Sequence, residues 1–398
     1  MQQVVPKKIK ENNPNITLQP FNTLLVDGSN LLKICMVNDK VNSDGQTIGG
    51  IMQFLLQIKN LMRKGNFRYI YVMWDGDRGG QMRYNYYPAY KANRDKEYVE
   101  YGVSDYMKEV NMRLSYMQEK IFGKDKKKEI SEKDKDKELF HKQRDILMSC
   151  LDELFIRQCL CDEIEADDFI AYYVNHKKPE ENIVIFSNDR DLSQLIHKSS
   201  VRADKDDVIL CIKPHGKDFM FINSRNHSDI MGYDWRNVLL KKMICGDSSD
   251  NIKGIKGVGE KTLLDNFPKM KNEKVSLEEI KNGAQQINEE RLKCKKKPLK
   301  WAENIVNSVT DGVQGDKIYE INEKIIDLSH PLMTEEAMEL IDSMMYAPMD
   351  SEGRSFDNLY NILMEAKIDD MRSESAFSNF FTDFKILINK EKTNALFE

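Results

Sequence analysis

The chain has 398 residues, 40% of them hydrophobic and 31% charged, with a formal net charge of −5. That describes a polar globular protein long enough for two or three packed domains, and the charge argues against uniform binding to nucleic acid. No apolar run is long enough to cross a bilayer and the opening residues lack the apolar core of a signal peptide, so a cytoplasmic protein is expected.

Residues 1–20 are polar and read as a flexible lead-in. Leu24, Leu25 and Val26 form a short buried strand that ends in Asp27-Gly28-Ser29-Asn30. Apolar positions at helical spacing (Ile51, Phe54, Leu55, Ile58, Leu61, Met62) predict a helix over 48–64. Residues 69–74, YIYVMW, predict a second strand, ending in Asp75-Gly76. From 78 to about 141 the character changes: aromatic and basic residues mix at 83–94, a helical stretch follows, and the lysine-acid run at 124–137 has little to bury, so it should be exposed and mobile.

Residues 155–160 return to strand character, and Glu165-Ala166-Asp167-Asp168 opens a helix with Phe169, Ile170, Tyr173 and Val174 on its apolar side. Residues 183–186, IVIF, are the clearest buried strand and run into Ser187-Asn188-Asp189-Arg190-Asp191. Strands and helices alternating in this way argue for a parallel sheet with helices on both faces, whose ligands bind at the carboxyl ends of the strands. Asp27, Asp75 and Asp189 all fall there.

The run CGDSSDNIKGIKGVGEKT at 245–262 joins two kinds of chemistry. Asp247 and Asp250 are spaced to share one side of a helical turn, as oxygen ligands for a hard cation such as Mg²⁺. Gly254, Gly257 and Gly259 free the backbone to approach a phosphate, with Lys253, Lys256 and Lys261 adding charge. The rest of the chain is helical in pattern. Its basic run at 291–300 reads as a second duplex contact or, equally, as a solvated face. Seven cysteines without a CxxC pair fit reduced structural thiols and no structural zinc.

Nine acids stand out: Asp27, Asp75, Glu165, Asp167, Asp168, Asp189, Asp191, Asp247 and Asp250. Like charges gathered so closely need neutralising cations. Two divalent ions, each taking carboxylates and waters, would activate a water and stabilise the leaving oxygen in phosphodiester hydrolysis. A nuclease follows from that reading.

The segments Val26-Asp27-Gly28-Ser29, Trp74-Asp75-Gly76, Tyr90-Lys91-Ala92-Asn93-Arg94, Glu165-Ala166-Asp167-Asp168, Ser187-Asn188-Asp189-Arg190-Asp191 and Gly246-Asp247-Ser248-Ser249-Asp250-Asn251 resemble, in order and approximate separation, the 5′-nuclease (flap endonuclease) superfamily. The pattern is most similar to phage-encoded 5′-3′ exonucleases, including the phage ribonuclease H type. The resemblance implies an α/β fold: a PIN-like, mostly parallel sheet with flanking helices at 21–240, a helical arch at about 78–143, a helix–three-turn–helix element within 241–300 and a helical C-terminal region at 301–398. It implies that Asp27, Asp75, Glu165, Asp167 and Asp168 hold one metal and that Asp189, Asp191, Asp247 and Asp250 serve a second. Mg²⁺ is expected, with Mn²⁺ as substitute and K⁺ at the glycine turn. Lys91 and Arg94 match the basic pair that contacts the scissile phosphate, and Asp189 and Asp191 count among the catalytic acids.

Arg83, Tyr87 and Tyr90 beside that pair are expected to meet nucleic acid, the tyrosines by stacking on unpaired bases. The arch would pass a single-stranded 5′ end, although the 124–137 run reads equally as a plain disordered loop. Two departures stand out. Glu163 replaces a usual glycine, and the twenty residues before the first strand remove the role of a free amino end. Residues 395–397, Ala-Leu-Phe, are a weak candidate for a sliding-clamp peg. The expected activity is metal-dependent 5′-3′ exonuclease or 5′-flap endonuclease cleavage of branched DNA or RNA–DNA hybrids, by a monomer, in replication primer removal or repair with other replication proteins. A PIN-type ribonuclease and a catalytically silent, structure-specific DNA-binding protein remain the alternatives.

Overall fold

The computed structural model of the chain describes residues 18, 21–38, 40–92, 126–198, 205–214, 218–311, 315–350 and 352–394, without the side chains of 126–134 and 390–394. Most of the lead-in, Arg94 with the rest of 93–125 in the expected arch, and residues 395–397 lie outside the described residues.

Seven strands form the central sheet: β1 (Thr23–Asp27), β2 (Tyr69–Trp74), β3 (Arg157–Leu160), β4 (Ile183–Phe186), β5 (His197–Lys198), β6 (Asp206–Ile212) and β7 (Met220–Ile222). The order is β3-β2-β1-β4-β6-β5, with β7 also pairing β6. The pairs among β1, β2, β3, β4 and β6 are parallel, while β5 and β7 run antiparallel to β6. Because β1 lies between β2 and β4, the crossovers leave it in opposite directions and open a crevice beyond its carboxyl end. Asp27 stands opposite Met73 and Val26 opposite Phe186, so the residues following all three strands share one rim.

Alternation along β1 separates two cores. Leu24 and Val26 pack with helices Gly28–Cys35, Gly49–Met62 and Lys126–Glu153. Leu25 packs on the other face with helix Ala166–His176 and, from the C-terminal region, Ala337 and Ile341. The expected helix over 48–64 is therefore Gly49–Met62. The lysine-acid run is instead helical from 126, the start of a 28-residue helix. Its later part carries Leu147, Cys150 and Leu151 into the core and so anchors the helix.

A third core, built from Leu240, Ile244, Ile255, Leu263, Ile280 and Ile305 among others, holds residues 238–319 together. Within it, helix Val238–Cys245 and helix Glu260–Asn266 flank the glycine-rich turn. The basic run leaves helix Leu277–Lys293 with Lys295, Lys296 and Lys297 exposed. The last helices return to the sheet, where Leu359, Leu363, Phe381 and Phe384 complete the first core. No helix among the described residues is long and apolar enough to cross a membrane. All seven cysteines are free.

Candidate active site

Three acids owe their places to strand ends. Asp27 closes β1 and caps helix Gly28–Cys35, accepting from the Asn30 amide at 2.9 Å and from Ser187 Oγ at 2.8 Å. Burial, reinforced by the charge of Asp75, pushes its pKa up to about 7. Asp75 follows β2 and accepts from the Ala166 amide, 2.9 Å away at the start of helix Ala166–His176, which pins that helix to the rim. Asp189 follows β4 and caps the 3₁₀ turn Arg190–Leu195, accepting from the Asp191 amide at 2.8 Å. Burial raises its pKa despite the nearby Lys242 and Lys91.

Asp167 differs from these. It is half-buried and has no hydrogen-bond or ion-pair partner among the described residues. Burial comes first, then the charges of Asp189, Asp27, Asp75 and Glu165, and together they hold its pKa well above the usual carboxylate range.

Its neighbours in the EADD motif are saturated. Glu165 accepts from Arg83 Nη1 at 2.8 Å, from Tyr90 OH at 2.8 Å and from Lys91 Nζ. Asp168 takes the Arg83 fork on both oxygens and the Leu332 amide at 3.0 Å. Arg83 also donates to the Ile325 carbonyl at 2.9 Å. Lys91 is buried in the left-handed backbone region (φ 50°), held there by its amide's bond to the Asp250 carbonyl at 2.8 Å. Burial works against its charge, but Glu165, Tyr90 and Asp250 outweigh it and keep the ammonium protonated well beyond its ordinary range.

Asp247 and Asp250 do not share a helical turn. Gly246 (φ 72°) stops helix Val238–Cys245, and a hairpin follows of β8 (Gly246–Asp247) and β9 (Ile252–Lys253), with Asn251 also left-handed (φ 56°) at its turn. Ser249 fixes the Asp247 carboxylate through its amide at 2.8 Å and its hydroxyl at 2.7 Å. Lys242 Nζ bridges that carboxylate at 2.7 Å to Asp191. Burial would raise the pKa of Asp247, but Lys242 and Ser249 overcome it and hold the value at about 2. Asp250 lies 4.0 Å from Lys91 Nζ. Glu165, Asp167, Asp191, Lys242 and Asp250 line one cleft together with Arg83 and Tyr90.

Among the described residues no three acids, histidines or cysteines are gathered closely enough to hold an ion as they stand. The chemistry of the set nonetheless fits hard divalent cations: all the candidates are carboxylates, burial and mutual repulsion raise the pKa of several, and Asp167 has no counter-charge among the described residues. Lys91 lies between Glu165 and Asp250, and Lys242 between Asp191 and Asp247.

The glycine turn lies beside this cleft. A side chain at Gly254 would meet the Cys245 carbonyl carbon at 2.2 Å, so only glycine allows the hairpin to close against the preceding helix. Gly257 is left-handed (φ 78°) and Gly259 caps helix Glu260–Asn266. The buried Asn322 amide clamps the turn by donating to the carbonyls of Met243 at 3.0 Å and Lys253 at 2.9 Å. Lys253, Lys256 and Lys261 are exposed around it, Lys256 in a 2.6 Å pair with Asp311.

Residues 22–218 match the family model for the 5′-3′ exonuclease N-terminal resolvase-like domain. A 5′-3′ exonuclease of Halalkalibacterium halodurans is 28% identical over 61% of this chain and 67% of its own length. One of Mycoplasma genitalium is 38% identical over 25% of this chain, and the match spans only 33% of that relative. The fold superposes on T5 5′-exonuclease with bound zinc at a TM-score of 0.52 and 17% identity, covering 87% of this chain and 99% of that one. The chain belongs to the 5′-nuclease superfamily. As a 5′ nuclease it hydrolyses phosphodiester bonds.

In this 5′ nuclease the fold brings the expected acids to one rim and cleft, but it gives several neighbouring residues other tasks. Arg83 is 6% exposed and spent on Glu165 and Asp168, so it does not face nucleic acid. Tyr87 and Tyr90, expected to stack on bases, are 2% and 3% exposed and pack with Ile252, Ile325 and Ile326. The exposed ring of that stretch is Tyr86, with Lys324 Nζ 5.3 Å from its centroid. Asp168, with both oxygens occupied, anchors the helix rather than facing the cleft. Lys242 was missed. It sits five residues before Asp247 in an amphipathic helix, where sequence alone reads it as solvated.

Proposed function

We propose that the chain is a divalent-metal-dependent 5′ nuclease acting on branched DNA or RNA–DNA hybrids, cutting as a 5′-3′ exonuclease or 5′-flap endonuclease, as in primer removal during replication. The observation that carries this reading is Asp167, a carboxylate without a partner among the described residues, surrounded by Asp27, Asp75, Asp189 and Glu165. Asp27, Asp75, Glu165 and Asp167 would hold one ion, and Asp189, Asp191, Asp247 and Asp250 a second. Mg²⁺ is the expected species and Mn²⁺ its substitute. Bound there, the ions supply an activated water and a counter-charge for the leaving oxygen.

The chain's own groups do the rest. Lys91, kept charged by Glu165, places a fixed cation where charge develops on the scissile phosphate, with Arg94 as its partner. Hydroxyls and amides from Ser187, Asn30 and Ala166 fix the carboxylate rotamers before substrate arrives. The turn at 254–259, with K⁺ bound, and its lysines would grip the duplex backbone, and the single-stranded 5′ end would pass beside residues 78–143. The enzyme would act as a monomer alongside replication proteins in the cytoplasm.

The test is cleavage of a 5′-labelled flap duplex, beside a blunt duplex and an RNA–DNA hybrid, with Mg²⁺ and with chelator. Metal-dependent cutting near the junction supports the reading, and the hybrid lane ranks the substrates. Tight binding with no cutting would replace it with a silent DNA-binding protein.

A further inference from the structure

His227 is completely buried and lies far in sequence from every acid of the cleft. Its Nδ1 is 2.8 Å from the Tyr233 carbonyl oxygen and its Nε2 is 3.1 Å from Ser193 Oγ. The same hydroxyl is 2.6 Å from the Arg190 carbonyl. A carbonyl only accepts, so Nδ1 carries the hydrogen. Ser193 has a single proton for two claimants, the Arg190 carbonyl and a neutral Nε2.

That carbonyl belongs to the turn Arg190–Leu195, which Asp189 caps and which contains Asp191. Just before the turn the Asp189 amide donates to Ser187 Oγ at 3.0 Å, while Ser187 donates to Asp27 at 2.8 Å. We propose that His227, acting through Ser193, is the positioning residue that sets the turn bearing Asp189 and Asp191. The proposal rests on the reading of those two acids as metal ligands.

The hydrogen count gives the proposal a pH signature. When His227 is protonated both ring nitrogens donate, Ser193 gives its proton to Arg190, and the chain of bonds from Tyr233 to the turn is complete. When it is neutral, Nε2 and the Arg190 carbonyl compete for one proton. Burial disfavours the charged ring, and Asp234 opposes burial without overcoming it. The other groups around it are the Tyr233 ring, 5.4 Å away, Lys241, which lies over that ring and pairs with Glu260, Asp229 on its own helix, and the exposed Arg190 on the turn.

Three variants of the full chain separate the contributions. Ser193→Ala removes one oxygen and leaves the fold's volume nearly unchanged. His227→Asn keeps a donor near Tyr233 but withdraws from Ser193, whereas His227→Gln reaches Ser193 with a permanent donor. Hydrogen–deuterium exchange of the peptide covering 187–195, read without metal, should quicken about five- to tenfold in Ser193→Ala and His227→Asn, as expected for one lost hydrogen bond. It should stay near wild type in His227→Gln. Corrected for intrinsic chemistry, wild-type exchange should slow as pH falls below the ordinary histidine range, since burial lowers the pKa of this ring, and the glutamine variant should show no such trend.

Mn²⁺ affinity, titrated with the metal alone, should fall about tenfold in the first two variants, with duplex affinity unchanged. Unaltered exchange at 187–195 in Ser193→Ala overturns the proposal, whether or not the histidine variants fold. A wild-type protein that binds no Mn²⁺ would refute the metal reading instead, and the exchange arm would still decide the positioning role.

Discussion

Replacing Arg83 by methionine should unfold this protein more readily than any exposed charge change. The guanidinium makes two bonds to Asp168, one to Glu165 and one to the Ile325 carbonyl, and both carboxylates are at most 5% exposed. Methionine fills similar volume but leaves Asp168 with only the Leu332 amide. Breaking a buried ion pair from one side costs about 3–5 kcal/mol, which for a cooperative unit of roughly 200 residues lowers the melting midpoint by about 10 °C.

The sign of a second substitution is the sharper test. Burial already raises the Asp168 pKa while Arg83 pulls it down. Without Arg83 the folded pKa lies further above the unfolded value, so the variant is most stable below about pH 4 and loses stability as pH rises through the folded value. Asp168→Asn should therefore destabilise the wild type yet stabilise Arg83→Met at neutral pH, a reversal that a double-mutant cycle by chemical denaturation reads directly. A loss below about 1 kcal/mol, the range of surface pairs, or the same sign in both backgrounds, would refute the account of Arg83 as a buried counter-ion.

Asp167→Asn should reduce cleavage at least about a hundredfold, since metal charge stabilisation is worth several kcal/mol, while raising the melting temperature in chelator by relieving repulsion; a lower midpoint in chelator would contradict the crowding described. Lys242→Met should destabilise the metal-free protein by leaving Asp191 and Asp247 unpaired, with Mg²⁺ restoring the midpoint; a deficit that Mg²⁺ leaves intact would show that no cation replaces the ammonium. Gly257→Val forces a branched side chain into φ 78°, at about 1–2 kcal/mol of local strain, and should weaken duplex affinity; unchanged affinity in a fluorescence titration would remove the turn from the duplex contact. His197 is raised in pKa by its bond to Asp207, whose own pKa burial would raise but His197 and Lys177 lower. The stabilisation from His197 is present below about pH 6.5 and fades as pH rises through the higher folded value, so the gap to His197→Gln, below about 1 kcal/mol for so exposed a ring, should be larger at pH 5 than at pH 8.

What could be read in advance follows from which signals are local. Strands β1, β2 and β4 are continuous apolar runs ending in Asp-Gly or acid clusters, and a strand buried on both faces writes itself that way. Strands β5 and β7 have two and three residues and carry no such pattern. The lysine-acid run has no apolar stripe, so its helical state depends on Leu147 and Leu151 a few turns later. Tyr87, Tyr90 and Arg83 misled because an aromatic-basic mixture is written identically for a nucleic-acid surface and for a buried counter-ion shell. The Asp247–Asp250 spacing suited a helix until Gly246 ended it. His227 reaches Ser193 and Lys242 reaches Asp191 across long sequence separations, which composition and period do not record.

The cations of the cleft differ in a way that sorts their roles. Arg83 is a planar fork whose donors meet two carboxylates and a carbonyl at once, and displacing it would take a donor from all three together. Lys91 and Lys242 are point charges on flexible stems, each reaching between two acids. An ammonium can withdraw along its own stem when a denser charge arrives; a guanidinium bound on three sides cannot. Asp168 is thereby committed to the fold, while Asp191 and Asp247 share a single flexible ammonium. Within the cluster the arginine is therefore the fixed counter-charge and the two lysines the movable ones.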